Sequence, residues 1–233
     1  IIDLLDVLSE EEKEKLYEQV IKLDFKKIDK LYNELTKKEK NTGENIEAIM
    51  ALNKDKLSEE ELNKYDTIGK NIIKNNQYAL VTMSGGQGTR LGYDKPKGTF
   101  EVDILTGHKS LFEILADKLK EINEKYNVII PWYIMTSEEN NDEIIDFFEE
   151  HKYFSYPAEY IKFFKQGNLP LITESKKLII GKDKLIKEAA DGNGGIFNSM
   201  LKKGVIKDME KRGIEWIFIG SVDNILLKYG KIY

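Results

Sequence analysis

Residues 78–92 read YALVTMSGGQGTRLG, a short apolar run that leads directly into four glycines within eight residues. The run over 78–83 is apolar and partly β-branched, which predicts a buried β-strand. Glycine tolerates positive φ angles and close approach to the backbone, so successive N–H groups of such a loop can face an anion. Arg90, Lys95 and Lys97 add positive charge nearby. We expect a phosphate-binding loop after the strand, with a turn that binds no ligand as the alternative.

Two common nucleotide-binding patterns are excluded by the spacing of these glycines. The P-loop pattern G-x-x-x-x-G-K-[ST] does not occur in the chain. The dinucleotide pattern G-x-G-x-x-G fails by one residue, because Leu91 stands where a glycine must follow Gly86 and Gly88. The loop therefore belongs to a different class of anion-binding site.

Strand-like and helix-like segments alternate after this loop. The further predicted strands are 128–135, 160–164, 178–180 (as part of a small hairpin) and 214–219. The predicted helices are about 110–125, 138–150 and 196–211. This alternation predicts an α/β fold with a mostly parallel sheet and helices on both faces. Functional groups of such sheets gather beyond the carboxyl ends of the strands.

The first 75 residues predict a helical arm without a functional motif. Ser9 with Glu12, and Ser58 with Glu61, form capping-box patterns, and apolar residues between them recur at helical spacing. We expect two domains: an N-terminal helical arm over 1–75, and a nucleotide-binding catalytic domain over 76–233.

The composition argues against a nucleic-acid-binding or membrane protein. The 233 residues carry a net charge of −5, with 33% charged residues, 41% hydrophobic residues and no cysteine. Lysines alternate with glutamates, as in residues 10–15, instead of forming a basic stripe. No apolar run approaches the roughly 18–20 residues that span a membrane, and no signal peptide is apparent. We expect a cytoplasmic protein with neither nucleic-acid nor membrane partners, whose oligomeric state the sequence leaves open.

The glycine loop together with Pro96-Lys97-Gly98 resembles the signature of the eukaryotic-type UDP-sugar pyrophosphorylases, in particular the UDP-N-acetylglucosamine branch. Three downstream segments resemble further motifs of that family in the same order. These are FFKQGNLP over 163–170, DGNGG over 191–195 and VDNIL over 222–226. The resemblance covers about residues 78–228.

The resemblance implies a Rossmann-like nucleotidyltransferase fold of the GT-A-like type and a uridylyltransferase reaction. A sugar 1-phosphate, either N-acetylglucosamine 1-phosphate or glucose 1-phosphate, attacks the α-phosphate of UTP, and pyrophosphate leaves. UTP and the sugar 1-phosphate would be the partners, and Mg²⁺ the cofactor. No general base is needed, because the attacking phosphate is already ionised.

The same resemblance implies roles for individual residues. Arg90 would stabilise the leaving pyrophosphate, and Lys97 would hold the α-phosphate. Asp223 would bind Mg²⁺ through its hard carboxylate oxygens, and Asn193 would contact the sugar. The implied nucleotide-binding residues are Met83, Ser84, Gly85, Gly86, Gln166 and Gly192. Gln166 carries both a donor and an acceptor, as recognition of the edge of uracil requires.

Alternatives without a ligand stay open at three of these positions. Gln166 could satisfy loop backbone, residues 191–195 could form a glycine-rich turn, and Asp223 could cap a turn after its strand. A glycosyltransferase of related architecture is disfavoured, since such enzymes pair two aspartates around one residue, and Ser221 and Ile225 stand at that spacing from Asp223.

The chain also departs from the family pattern. Ser84 replaces an alanine, Lys165 a glutamine and Ala190 a proline, and none of these changes removes an implied phosphate ligand. Family members run well beyond this length, so the chain is expected to be incomplete at its C-terminal side. A truncated, non-catalytic module that binds UTP or a UDP-sugar is therefore the second hypothesis.

Overall fold

A computed structural model of the protein describes residues 5–37, 47–50, 53–105 and 107–227. Its strands are β1 (Tyr78–Met83), β2 (Glu101–Ile104), β3 (Gly107–Ser110), β4 (Trp132–Thr136), β5 (Ile161–Lys165), β6 (Asn168–Pro170), β7 (Glu188–Ala190) and β8 (Trp216–Ser221). Its helices are α1 (Glu10–Lys22), α2 (Phe25–Thr36), α3 (Glu59–Lys74), α4 (Leu111–Tyr126), α5 (Asn141–Glu150), α6 (Ile196–Lys202) and α7 (Val205–Lys211).

These elements form two units. The small unit contains the described residues up to 50 together with Asn168–Ala189. The sheet unit contains the described parts of 53–167 and 190–227, and so includes α3. The predicted boundary at residues 75 and 76 between an arm and a catalytic domain stays a prediction.

The sheet unit is built on four parallel strands in the order β5-β4-β1-β8. Side chains alternate between the two faces of a strand, so Leu80 and Trp132 pack against α4 and α5 while Val81 and Tyr133 pack against α6 and α7. Each face carries its own buried cluster of apolar side chains. The predicted parallel sheet with helices on both faces is confirmed.

The helix predicted over 196–211 is wrong as a single element. The structure has α6 and α7 instead, separated at Gly204, whose φ of 72° is incompatible with a continuous right-handed helix. The strand predicted from 128 begins only at Trp132. Pro131 just before it has no N–H for a ladder, although its carbonyl accepts a hydrogen bond from the Leu80 N–H at 2.9 Å.

The antiparallel hairpin of β2 and β3 was not predicted from the sequence. Exposed and half-buried side chains alternate along β2, whereas β3 runs from exposed residues at Gly107 and His108 to a buried one at Ser110. This short ribbon lies outside the four-stranded sheet.

The small unit combines α1, α2 and an irregular ladder over 168–189. The predicted hairpin is present: Ile172 bridges Leu178, and Ile180 bridges Ile186. The Gln19 amide accepts from the Ile186 N–H at 2.8 Å and donates to the Ile186 carbonyl at 3.2 Å. This pair of bonds attaches α1 to the ladder. Among the described helices of either unit, none is both long and apolar enough to cross a membrane.

Candidate functional site

The carboxyl ends of the four parallel strands continue into backbone segments that are hydrogen-bonded to one another. The Ser84 N–H donates to the Met135 carbonyl at 2.8 Å, and the Gln166 N–H donates to the Thr136 carbonyl at 2.8 Å. On the other side, the Val222 N–H donates to the Met83 carbonyl at 3.1 Å. The first residues after β1, β5 and β8 therefore lie along one edge, where the sequence predicts a site.

The glycine loop folds back on itself. The Gly88 N–H donates to the Lys95 carbonyl at 2.9 Å, and the Lys97 N–H donates to the Gly86 carbonyl at 3.2 Å. Gly92 turns the chain with a φ of 67°. This return brings Lys97 beside Gly86, so the cation lies close to the glycines that the sequence predicts as a ligand cradle.

Lys97 forms an ion pair with Asp223 across the site, with 2.9 Å between Nζ and Oδ2. The Lys97 side chain is 23% exposed, and that of Asp223 is 46% exposed. The Ser221 hydroxyl and the Lys97 ammonium lower the pKa of Asp223 below its ordinary value. The structure thus brings together the predicted phosphate ligand and the predicted metal ligand, with Asp223 as a carboxylate at neutral pH.

The Gln166 side chain lies against the backbone of Gly85. Gln166 is only 8% exposed, and a Cβ added to Gly85 would lie 2.7 Å from its Nε2. Among the described residues, the Gln166 amide makes no side-chain hydrogen bond. The donor and the acceptor of this amide are therefore available to a ligand.

The second glycine cluster is joined to the strand end that carries Gln166. The Asp191 N–H donates to the Gly167 carbonyl at 2.9 Å. Gly192 follows with a φ of 81°, a conformation that residues with a Cβ rarely adopt. Asn193 begins the turn Asn193–Gly195 and is exposed. Gly192 and Asn193 directly follow Asp191, whose backbone is hydrogen-bonded to the residue after Gln166.

The two remaining predictions concern the Arg90 side chain and the binding of Mg²⁺. Arg90 lies in the turn Thr89–Leu91, and its side chain lies outside the described part of the structure, so its role stays a prediction. Within the described residues, no three His, Cys, Asp or Glu side chains are close enough to hold a metal. Mg²⁺ commonly uses one or two carboxylates plus substrate phosphates, and Asp223 fits that mode as a single protein ligand.

Two residues that support the site were missed from the sequence. Asn140 is fully buried and donates through Nδ2 to the Ser84 carbonyl at 3.1 Å. Lys118 donates through Nζ to the carbonyls of Ile225 and Leu227, just after Asp223, and burial lowers the pKa of Lys118. Both act on backbone carbonyls, a role for which a sequence carries no pattern.

Comparison with known proteins gives the family of this chain. The family model described as UTP–glucose-1-phosphate uridylyltransferase matches residues 24–229. The UDP-N-acetylglucosamine pyrophosphorylase of Saccharomyces cerevisiae is 36% identical, over 83% of this chain and 42% of its own length. UDP-N-acetylglucosamine diphosphorylase 2 of Arabidopsis thaliana is 32% identical, over 98% of this chain and 48% of its own length.

A solved structure shows the same similarity. The uridine diphosphate N-acetylglucosamine pyrophosphorylase of Trypanosoma brucei, in complex with an inhibitor, superposes with a TM-score of 0.78 and is 28% identical. That alignment covers 95% of this chain and 48% of the other. The chain spans about half the length of the curated relatives that it matches.

Proposed function

This chain belongs to the UTP–glucose-1-phosphate uridylyltransferase family, and on that premise we propose that it serves the formation of a UDP-sugar and pyrophosphate from UTP and a sugar 1-phosphate. The observation that carries the proposal is the ion pair of Lys97 with Asp223 at 2.9 Å. This pair joins the glycine loop after β1 to the end of β8, where a phosphate and a divalent cation would meet.

The proposed reaction is an in-line transfer at phosphorus. An oxygen of the sugar 1-phosphate forms a bond to the α-phosphorus of UTP, while the bond from that phosphorus to the bridging oxygen of the β-phosphate breaks. Pyrophosphate takes the electron pair of that bond. Such a step needs alignment of two anions and neutralisation of charge more than it needs a proton acceptor.

Lys97 and Asp223 supply the two charges that this step requires. Without substrate they neutralise each other. When a metal–nucleotide complex binds, the Lys97 ammonium is free to hold the α-phosphate and the Asp223 carboxylate is free to hold Mg²⁺. Held by Asp223, Mg²⁺ would supply positive charge that neutralises the phosphates. Arg90 is proposed to stabilise the leaving pyrophosphate.

The base and the sugar are proposed to lie on either side of these charges. The Gln166 amide pairs with the edge of uracil, and the backbone of Ser84, Gly85 and Gly86, together with Met83, lines the nucleotide. Gly85 has no Cβ, and a Cβ at this position would overlap the side-chain amide of Gln166. Gly192 allows the backbone to approach the base or ribose, and Asn193 contacts the sugar.

The relatives named as UDP-N-acetylglucosamine pyrophosphorylases favour N-acetylglucosamine 1-phosphate as the first acceptor to test, with glucose 1-phosphate second. The cytoplasmic location stays a prediction that cell fractionation would check.

Calorimetric titration with UTP and Mg²⁺, followed by an assay of pyrophosphate release, tests the proposal. We expect Lys97→Ala to weaken binding or release by about 100-fold with an unchanged circular dichroism spectrum. Lys74→Ala, at the exposed end of α3, serves as the matched control. UTP binding without release would favour the non-catalytic module. A Lys97→Ala variant in which both UTP binding and pyrophosphate release are unaffected would overturn the proposal.

A further inference from the structure

Asn140 occupies a capping position without acting as a cap. It is the residue before α5, yet its side chain makes no hydrogen bond to the first turn of that helix. At the corresponding positions before α1, α3 and α4, the serine side chains Ser9, Ser58 and Ser110 all accept from the helix backbone. An asparagine at such a position usually does the same. The Asn140 side chain is used elsewhere.

Its two amide atoms join two different strand ends. Oδ1 accepts from the Ser137 N–H at 2.8 Å, just after β4, and Nδ2 donates to the Ser84 carbonyl at 3.1 Å, just after β1. The donor and the acceptor on the backbone leave only one orientation of the amide. Asn140 is fully buried, so water does not compete for either bond.

The bond to Ser84 fixes a peptide group of the glycine loop. In a trans peptide the carbonyl of one residue and the N–H of the next point in opposite directions, and the described chain has no cis peptide bond. Because the Ser84 carbonyl points toward Asn140, the N–H of Gly85 points away from Asn140. Among the described residues, the N–H groups of Gly85 and Gly86 donate no hydrogen bond.

We infer that Asn140 is a positioning residue, which orients the Ser84–Gly85 peptide so that the Gly85 N–H is presented to the nucleotide. The inference deepens the proposed function and rests on it for the identity of the ligand. Asn140 touches no substrate itself. Its effect passes through the loop backbone, which loses its fixed orientation when the Nδ2 donor is removed.

Asn141 offers a matched control in the next position. It is also buried, its Oδ1 accepts from the Thr136 hydroxyl at 2.8 Å, and its Nδ2 donates to Asp142 at 2.7 Å. It makes no described hydrogen bond to the glycine loop. Asn140→Leu is the informative variant, because it keeps the approximate volume of the side chain but cannot donate to Ser84. Asn140→Ala and Asn141→Ala form the matched pair of truncations.

Hydrogen–deuterium exchange of the ligand-free chain is the first test. We expect exchange of the hydrogen-bonded Ser84 and Gly88 amides to become about ten-fold faster in Asn140→Leu and Asn140→Ala, as for loss of one net hydrogen bond, and to stay unchanged in Asn141→Ala. UTP titration is the second test. We expect an affinity loss of about ten-fold in the Asn140 variants and none in the Asn141 variant. The titrations are done at a temperature at which all variants are equally folded, so that a difference in stability does not cause the loss.

Unchanged exchange of the Ser84 and Gly88 amides in Asn140→Leu and Asn140→Ala would overturn the inference whatever the ligand is. Equal loss of UTP affinity in the Asn140 and Asn141 truncations would overturn it as well, because that result is expected of a purely structural turn. Absence of UTP binding by the unsubstituted chain would instead overturn the proposed function, and the exchange result would then decide the positioning role separately.

Discussion

Gly98 ends the glycine loop against the aromatic core. A Cβ at this position would overlap the ring of Phe112, which is fully buried and packs edge-on against Phe148 at 4.8 Å between centroids. Phe148 is fully buried as well. We expect Gly98→Ala to lower the free energy of unfolding by about 1–3 kcal/mol through overpacking, measured by urea denaturation. Unchanged stability would contradict this packing.

Gly86 lies in the same loop but lacks a side chain for a different reason. No atom lies within 4 Å of a Cβ built on it, and its φ is not in the left-handed region. We expect Gly86→Ala to leave the urea midpoint unchanged. The added methyl would reduce UTP affinity by about ten-fold if the nucleotide approaches this backbone closely. Wild-type affinity in calorimetry would place the nucleotide elsewhere.

Asp223 should show its environment in the pH dependence of ligand binding. The Ser221 hydroxyl, and then Lys97, lower its pKa, so the carboxylate persists to lower pH than usual. Its contribution to stability is present above the pKa of the unfolded chain and is lost as pH falls through the lower folded pKa.

We expect Ser221→Ala to raise the pKa of Asp223, because the hydroxyl no longer stabilises the carboxylate. The acid limb of Mg²⁺-dependent UTP binding then moves to higher pH, while affinity at neutral pH stays the same. Titration across the acid range would check this. An unmoved acid limb would show that Asp223 does not govern metal-dependent binding.

The sequence singled out candidate residues for the site but not the residues that support them. Lys97 and Asp223 are 126 positions apart, and composition or periodicity alone could not pair them; the resemblance to a family did so. Asn140 and Lys118 were missed because each donates to main-chain carbonyls. Such hydrogen bonds depend on where the tertiary fold places the carbonyl. Because every residue has a main-chain carbonyl, the local sequence does not indicate which one is the acceptor.

At the scale of single elements, local chemistry predicted helix starts more reliably than helix lengths. The capping boxes of Ser9 with Glu12 and Ser58 with Glu61 are both present, because each requires residues only three positions apart. The last predicted helix is divided at Gly204. The sequence did not predict this break, because one glycine within an apolar helical pattern does not reveal a positive φ. The β2–β3 hairpin escaped prediction because its strands are short and mostly polar.

Ser58 tests how much one cap contributes to the sheet unit. Its hydroxyl accepts from the Glu61 N–H at 3.2 Å, and Glu61 accepts from the Ser58 N–H at 2.9 Å. We expect Ser58→Ala to cost about 1 kcal/mol of unfolding free energy, because α3 buries Ile72 and Ile73 in the core. Ser58→Thr should retain most of it. A loss equal in both variants would contradict capping as the cause.

At the scale of the molecule, the alternation of strands and helices was enough to predict a parallel sheet, but not the assignment of segments to units. Residues 168–189 group with α1 and α2, far away in sequence, through contacts such as Gln19 with Ile186. The periodicity of apolar residues indicates which face of a segment is buried, but it does not indicate which other segment packs against that face. The described candidate site residues belong to the sheet unit, and Lys97 of the Lys97–Asp223 ion pair supplies a local positive charge there although the net charge of the chain is −5.

The two units should differ in stability because their cores differ in size. Among the described residues, the buried apolar cluster of the small unit has three members, Leu8, Leu16 and Ile186. The clusters on the two faces of the sheet have 17 and 9 buried members. Apolar burial is the main favourable term in folding, and local opening follows its distribution. We expect backbone amides of α1 and of the ladder over 171–187 to exchange at lower urea concentration than those of β1 and β4. Equal protection throughout, measured by native-state hydrogen exchange, would mean that the small unit opens only with the whole chain, and would contradict this prediction.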